Sequence, residues 1–72
     1  MRKATSASNS KLARLRVERG LGQRELSDAS GVYIRQIQGL ESGALKMENV
    51  SLKNALRLAD ALGVHPRELI GD

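Results

Sequence analysis

Apolar residues recur along this chain at helical spacing, without the strict alternation of a half-buried strand. Leu12 and Leu15 stand three apart, as do Leu26 and Ala29, and again Ile37 and Leu40. The longest stripe is Leu52, Ala55, Leu56, Ala59 and Leu62, at i, i+3, i+4, i+7 and i+10, which makes a broad apolar face. Polar and glycine punctuation divides these stripes into elements. Asn9 or Ser10 can cap a first helix that runs to about Arg19 and stops at Gly20; Arg14, Arg16 and Arg19 crowd its later turns, where the helix dipole favours positive charge. Leu21 anchors the next turn, a second helix covers about residues 23–30, and a third covers about 34–42 with Gly43 as its stop. Residues 44–50 carry no periodicity and read as a loop. Ser51, or Asn49, can cap the fourth helix, which Gly63 ends; Pro66 then suits the first turn of a short last helix over 67–70. The expected architecture is all-α, a compact five-helix bundle. Residues 1–8 are polar and aperiodic and read as a flexible, weakly basic arm, leaving 9–72 as the folded domain.

Ser30-Gly31 separates the second and third patterns, and glycine tolerates the left-handed backbone that ends a helix. Two short helices joined by three or four residues with a glycine in the turn are a helix-turn-helix unit, whose second helix can enter the major groove of DNA. On that second helix Ile34, Arg35 and Gln38 lie away from the Ile37/Leu40 stripe, and they are expected to meet base-pair edges.

Composition narrows the alternatives. The chain has 72 residues, room for one small domain, with no Cys and a single His, which removes disulfides, thiolate metal sites and zinc fingers. No metal or cofactor is expected. The one aromatic residue, Tyr33, leaves a core of Leu, Ile, Val and Ala. No apolar run approaches the roughly 20 residues of a membrane span. The N-terminus lacks the apolar region of a secretory signal, so a cytoplasmic protein is expected. The net charge of +4 is unevenly spread: residues 1–46 hold nine Lys/Arg and four Asp/Glu, residues 47–72 three and four. A basic first half fits a nucleic-acid-facing side, and a near-neutral second half fits a side that faces something else. Enzymatic function has no support: there is no Cys nucleophile, no Gly-rich phosphate loop and no metal-ligand cluster. His65 has no ligand or carboxylate partner in sequence and reads as an exposed loop residue. RNA binding is disfavoured by the lack of stacking aromatics.

In order and spacing, L12-A-R-L-R16 with G20-L21, then Q23-x-E25-L26, G31-V32, I37, L40-E41-x-G43 and L58-A-D-A-L-G-V64, the chain resembles the lambda repressor and Cro type of helix-turn-helix regulator, also named after the xenobiotic response element. The resemblance covers about residues 10–70. It implies five helices with the third as recognition helix, and a two-fold symmetric homodimer on double-stranded DNA whose half-sites lie about one helical turn apart. It places Ile34, Arg35, Gln38 and Gly39 at base-facing positions. Gln23 falls where relatives bond a phosphate and brace the recognition helix, and Tyr33, Gln36 and Ser42 fall where they touch the sugar-phosphate backbone. Arg16 and Glu41 match a partly buried ion pair that joins the first helix to the end of the third. Three positions depart from the pattern. Ser27 and Ser30 replace Ala and a larger aliphatic residue, and Ser30 is expected to leave the core of the second helix underfilled. Gly39 inside the recognition helix either lets the helix approach the bases or is a neutral exposed position.

Phosphate contacts from Gln23, Arg24, Tyr33, Lys46 and the helix N-termini would supply affinity without sequence information. Arg35 can pair with guanine O6 and N7, Gln38 with adenine N6 and N7, and Ile34 can offer apolar contact to a thymine methyl. A monomer reads too few base pairs to find a site in a genome, so dimerisation is expected. The apolar residues Val64, Pro66, Leu69 and Ile70 form the expected interface, with Val64 and Leu69 also suited to closing the core. The sequence therefore reads as a DNA-binding transcriptional regulator: a phage-type repressor, a restriction–modification controller or a similar autoregulator. The alternative is an antitoxin or adaptor of the same fold that works through a protein partner on the face of the last two helices.

Overall fold

The Ser10 hydroxyl accepts the Ala13 N–H at 2.9 Å and so opens α1 (Lys11–Glu18). The structure is a computed structural model that describes residues 10–70; the expected arm over 1–8 and the alternative cap Asn9 lie outside them. α2 (Gln23–Ser30) begins at Gly22, whose N–H donates to the Glu25 carboxylate at 2.7 Å. It ends at Gly31, where φ is +78°, a left-handed conformation that a residue with a Cβ adopts only at a cost. α3 (Ile34–Ser42) follows from Tyr33 and stops at Gly43, at φ +90°. Ser51 caps α4 (Leu52–Leu62) by accepting the Asn54 N–H at 3.1 Å.

The described residues hold four α-helices and two 3₁₀ turns in place of five helices. The first turn, Met47–Asn49, lies in the segment expected to be irregular. The second, Pro66–Leu69, stands where the last helix was expected. Its start is capped: the His65 imidazole accepts the Arg67 N–H at 3.2 Å, and the Glu68 carboxylate accepts the His65 N–H at 3.4 Å.

α2 packs against α3 and α4, while α1 packs against α3 and the Pro66–Leu69 turn, which also covers α4. Leu12, Leu26, Val32, Ile37, Leu40, Leu58, Ala59, Leu62 and Leu69 form the core. The Arg19 guanidinium donates to the Leu62 carbonyl at 2.6 Å and ties the end of α1 to the end of α4. Among the described residues no helix is long and apolar enough to cross a membrane.

Two helix faces differ from the sequence expectation. On α2 the residue turned inward beside Leu26 is Ser30, while Ala29 is exposed. On α4 the stripe is rotated: Leu58, Ala59 and Leu62 are buried, whereas Leu52 is 73% and Leu56 41% exposed. Seven of the eleven α4 residues are apolar, so two overlapping stripes satisfy the helical period and tertiary packing selects between them.

Candidate nucleic-acid interface

The turn between α2 and α3 is held by Ser27 and Ser30, the two departures from the family pattern in α2. The Ser27 hydroxyl donates to the Val32 carbonyl at 2.6 Å, and the Ser30 hydroxyl accepts the Val32 N–H at 3.1 Å. Val32 is buried, so both its backbone groups would otherwise lack water as a partner. Ser30 thus supplies a hydrogen bond to the turn rather than leaving a simple gap.

The inner side of α3 is fixed by Ile37, Leu40 and Glu41, all buried. The Glu41 carboxylate accepts from Arg16 Nε at 2.7 Å and Arg16 Nη2 at 2.9 Å, a bidentate fork, while Arg16 Nη1 donates to the Leu21 carbonyl at 2.8 Å. The hydrogen bond to Glu41 raises the Arg16 pKa above its ordinary value, against the opposing effect of burial, and the attraction of the carboxylate adds to the rise. Gln23 Nε2 also donates to Glu41, at 2.9 Å, and Gln23 Oε1 lies 3.5 Å from Gln38 Nε2. A polar chain therefore runs from the ion pair through Gln23 to Gln38 on the outer side of α3. This geometry fits the bracing role that the resemblance gave Gln23.

Opposite Ile37 and Leu40, α3 presents Arg35 and Gln38, both exposed, with Ile34 half-buried at its start. Tyr33 is 86% exposed and borders Ile34 and Arg35 in a shallow, mainly apolar recess. Gln36 is turned towards the body of the protein: its Oε1 accepts Asn54 Nδ2 at 2.8 Å, which links α3 to α4 and leaves its amide N–H groups to donate elsewhere. The Ser42 hydroxyl donates to the Gly39 carbonyl at 3.2 Å and accepts the Ala44 N–H at 3.3 Å, so it closes the end of α3. Arg24 and Lys46 are exposed on either side of this surface in sequence. Gly39 lies under the Leu45 side chain, whose Cδ1 would be 2.8 Å from a Cβ built at residue 39. In the C-terminal segment Leu69 is buried in the core, Val64 and Pro66 are half-buried, and Ile70 is exposed.

Sequence reasoning missed two participants, Asn54 and Leu45. Asn54 shows only as a polar residue in the first turn of α4, and Leu45 sits in an aperiodic segment. Ser27 and Ser30 were noticed as departures, but their partner groups belong to backbone that pairing rules for side chains do not reveal.

A sequence model of the helix-turn-helix family matches residues 12–69. The fold is similar to the crystal structure of the restriction-modification controller protein C.AhdI from Aeromonas hydrophila, with a TM-score of 0.75 and 40% sequence identity. That similarity covers 90% of this chain and 94% of the other. No curated protein matches the sequence.

Proposed function

The chain belongs to the Cro/C1-type helix-turn-helix family, and from that premise we propose that it regulates transcription by binding an inverted repeat as a homodimer, with α3 in the major groove. The similarity to a controller protein favours, among the regulators considered above, a restriction–modification controller. The observation that carries the DNA reading is the two-sidedness of α3. Its inner side is locked by Ile37, Leu40 and the Arg16–Glu41 pair, while Arg35 and Gln38 stand exposed on the other. A rigidly held helix with a bare polar face can place long side chains reproducibly against base edges.

In this reading Arg35 reads guanine through O6 and N7. Gln38, held near Gln23, reads adenine, and Ile34 meets a thymine methyl. Tyr33, Arg24, Lys46, the free N–H groups of Gln36 and the N-terminus of α2 approach phosphates. Gln23 spends one N–H on Glu41 and its Oε1 lies near Gln38, so it holds α3 and orients Gln38 while its second N–H stays available to a phosphate. The homodimer forms through apolar surface on the α4 side: Leu52 and Leu56, joined by the exposed parts of Val64, Pro66 and Ile70, with Leu69 retained by the core.

Selection of bound duplexes from a random pool at about 150 mM salt, with Arg35→Ala run in parallel, tests the proposal. The expected result is an enriched inverted repeat with half-sites about 10 base pairs apart, whose specified guanines are lost in the variant. Absence of any enriched motif, with binding that vanishes as salt rises, would overturn it and direct attention to a protein partner.

A further inference from the structure

Arg35, Gly39 and Ser42 follow one another at i, i+4 and i+7 along α3, on the side opposite Ile37 and Leu40. Gly39 brings no side chain to this row, yet the space is filled. A Cβ at residue 39 would lie 2.8 Å from Leu45 Cδ1 and 3.0 Å from its Cγ. The chain reverses at Gly43 and folds back over the helix end, where the Leu45 N–H donates to the Gly39 carbonyl at 3.0 Å. The Ser42 hydroxyl bonds within the same turn. Leu45 keeps 43% of its surface exposed on this outer face. It is followed by the exposed Lys46.

We propose that Leu45 is a base-reading residue: it is delivered from the loop onto the outer face of α3 and takes the place of the side chain that Gly39 lacks. Gly39 is then the seat that admits Leu45, not itself a base contact. The inference rests on the reading of α3 as the recognition helix. Leucine has no hydrogen-bonding group, so the only base feature it recognises in the major groove is the thymine C5-methyl. Lys46, next in the chain, would anchor the same segment to phosphate and hold Leu45 at the groove.

The test compares the selected site with copies in which each thymine is replaced in turn by uracil, which lacks only the methyl group. Wild type, Leu45→Ala, Leu45→Met and Ile34→Ala are measured on each copy. Besides any thymine that Ile34 reads, one thymine per half-site should lose about threefold to fivefold in wild-type affinity on replacement, the effect of one buried methyl. Leu45→Ala should be indifferent at that thymine, Leu45→Met should retain part of the effect, and Ile34→Ala should retain all of it. Thermal melting of the free variants confirms that each is folded, and the uracil series on wild type holds even if one is not. Uracil tolerated at every thymine, or a methyl effect that Leu45→Ala leaves intact, would overturn the role of Leu45 while leaving the recognition helix in place. A wild-type protein that selects no motif would remove both readings together.

Discussion

Glu41 is 4% exposed and Arg16 15% exposed as side chains, so neither charge has full access to water and each depends on the other. Arg16→Met would strand the carboxylate with Gln23 as its remaining side-chain donor. The expected loss is about 3 kcal/mol, read as a fall in the urea midpoint with unchanged slope. A double variant, Arg16→Met with Glu41→Leu, should lose less than the two single variants added together, because no buried charge is left unpaired. Losses that simply add would show that the pair does not act as a unit. Folding raises the Arg16 pKa, so its contribution is complete below the unfolded value and fades only as pH climbs through the higher folded value. The arginine therefore adds no pH dependence to stability between about pH 5 and 9, far below the ordinary arginine range. At this scale the sequence was informative through charge and family pattern together. Opposite charges at residues 16 and 41 do not by themselves declare a contact across 25 positions, and only the family pattern paired them. The Gln23–Gln38 approach was still harder to foresee, since an amide pair leaves no charge signature.

The turn between α2 and α3 shows how an element can be right in outline while its chemistry is hidden. Glycine punctuation located the helix ends, because the left-handed backbone at Gly31 is a strictly local requirement. Gly31→Ala should accordingly cost roughly 1–2 kcal/mol, from backbone strain alone, since a Cβ there meets no neighbouring atom within 4 Å. Ser30→Ala acts differently: it leaves the buried Val32 N–H without its partner, at an expected cost of about 1–3 kcal/mol. Hydrogen exchange distinguishes the two, with Ser30→Ala accelerating the Val32 amide beyond the change in global stability. A variant as stable as the wild type would mean that Val32 finds another acceptor. Periodicity read Ala29 as inward because it is apolar, and passed over Ser30 because it is polar. The structure reverses that choice because the turn's backbone needs an acceptor at residue 30. The same limit explains α4. Helical period is a property of the segment, but which of two apolar stripes faces inward is a property of its neighbours, and Leu58 is buried where Leu52 was expected.

At the scale of the whole molecule the rotation of α4 acquires a functional meaning. Leu52 and Leu56, four residues apart, leave apolar surface on a helix whose adjoining face contributes Leu58, Ala59 and Leu62 to the core. The segment 47–72 is near neutral, so two copies could approach there with little net repulsion, while the charge excess of residues 1–46 remains for the DNA. A second copy docked on this side would present two α3 helices to one duplex and turn two weak half-site contacts into a linked pair. Leu52→Glu combined with Leu56→Glu places like charges in that contact, and because both side chains are exposed in the single chain it should leave the fold intact. The expected outcome is a monomer by sedimentation equilibrium, with circular dichroism and half-site binding close to wild type. Affinity for the full inverted repeat should fall by roughly 10²- to 10⁴-fold, the advantage that linkage confers on two sites. The dependence of log affinity on log salt should become shallower, since a lone subunit displaces fewer counterions. Arg35→Ala should show the complementary pattern, an unchanged dimer that has lost its preference for the cognate site. Should the double glutamate variant remain a dimer with undiminished affinity, the contact would lie on Val64, Pro66 and Ile70 without α4, and the apolar surface of Leu52 and Leu56 would require a different partner.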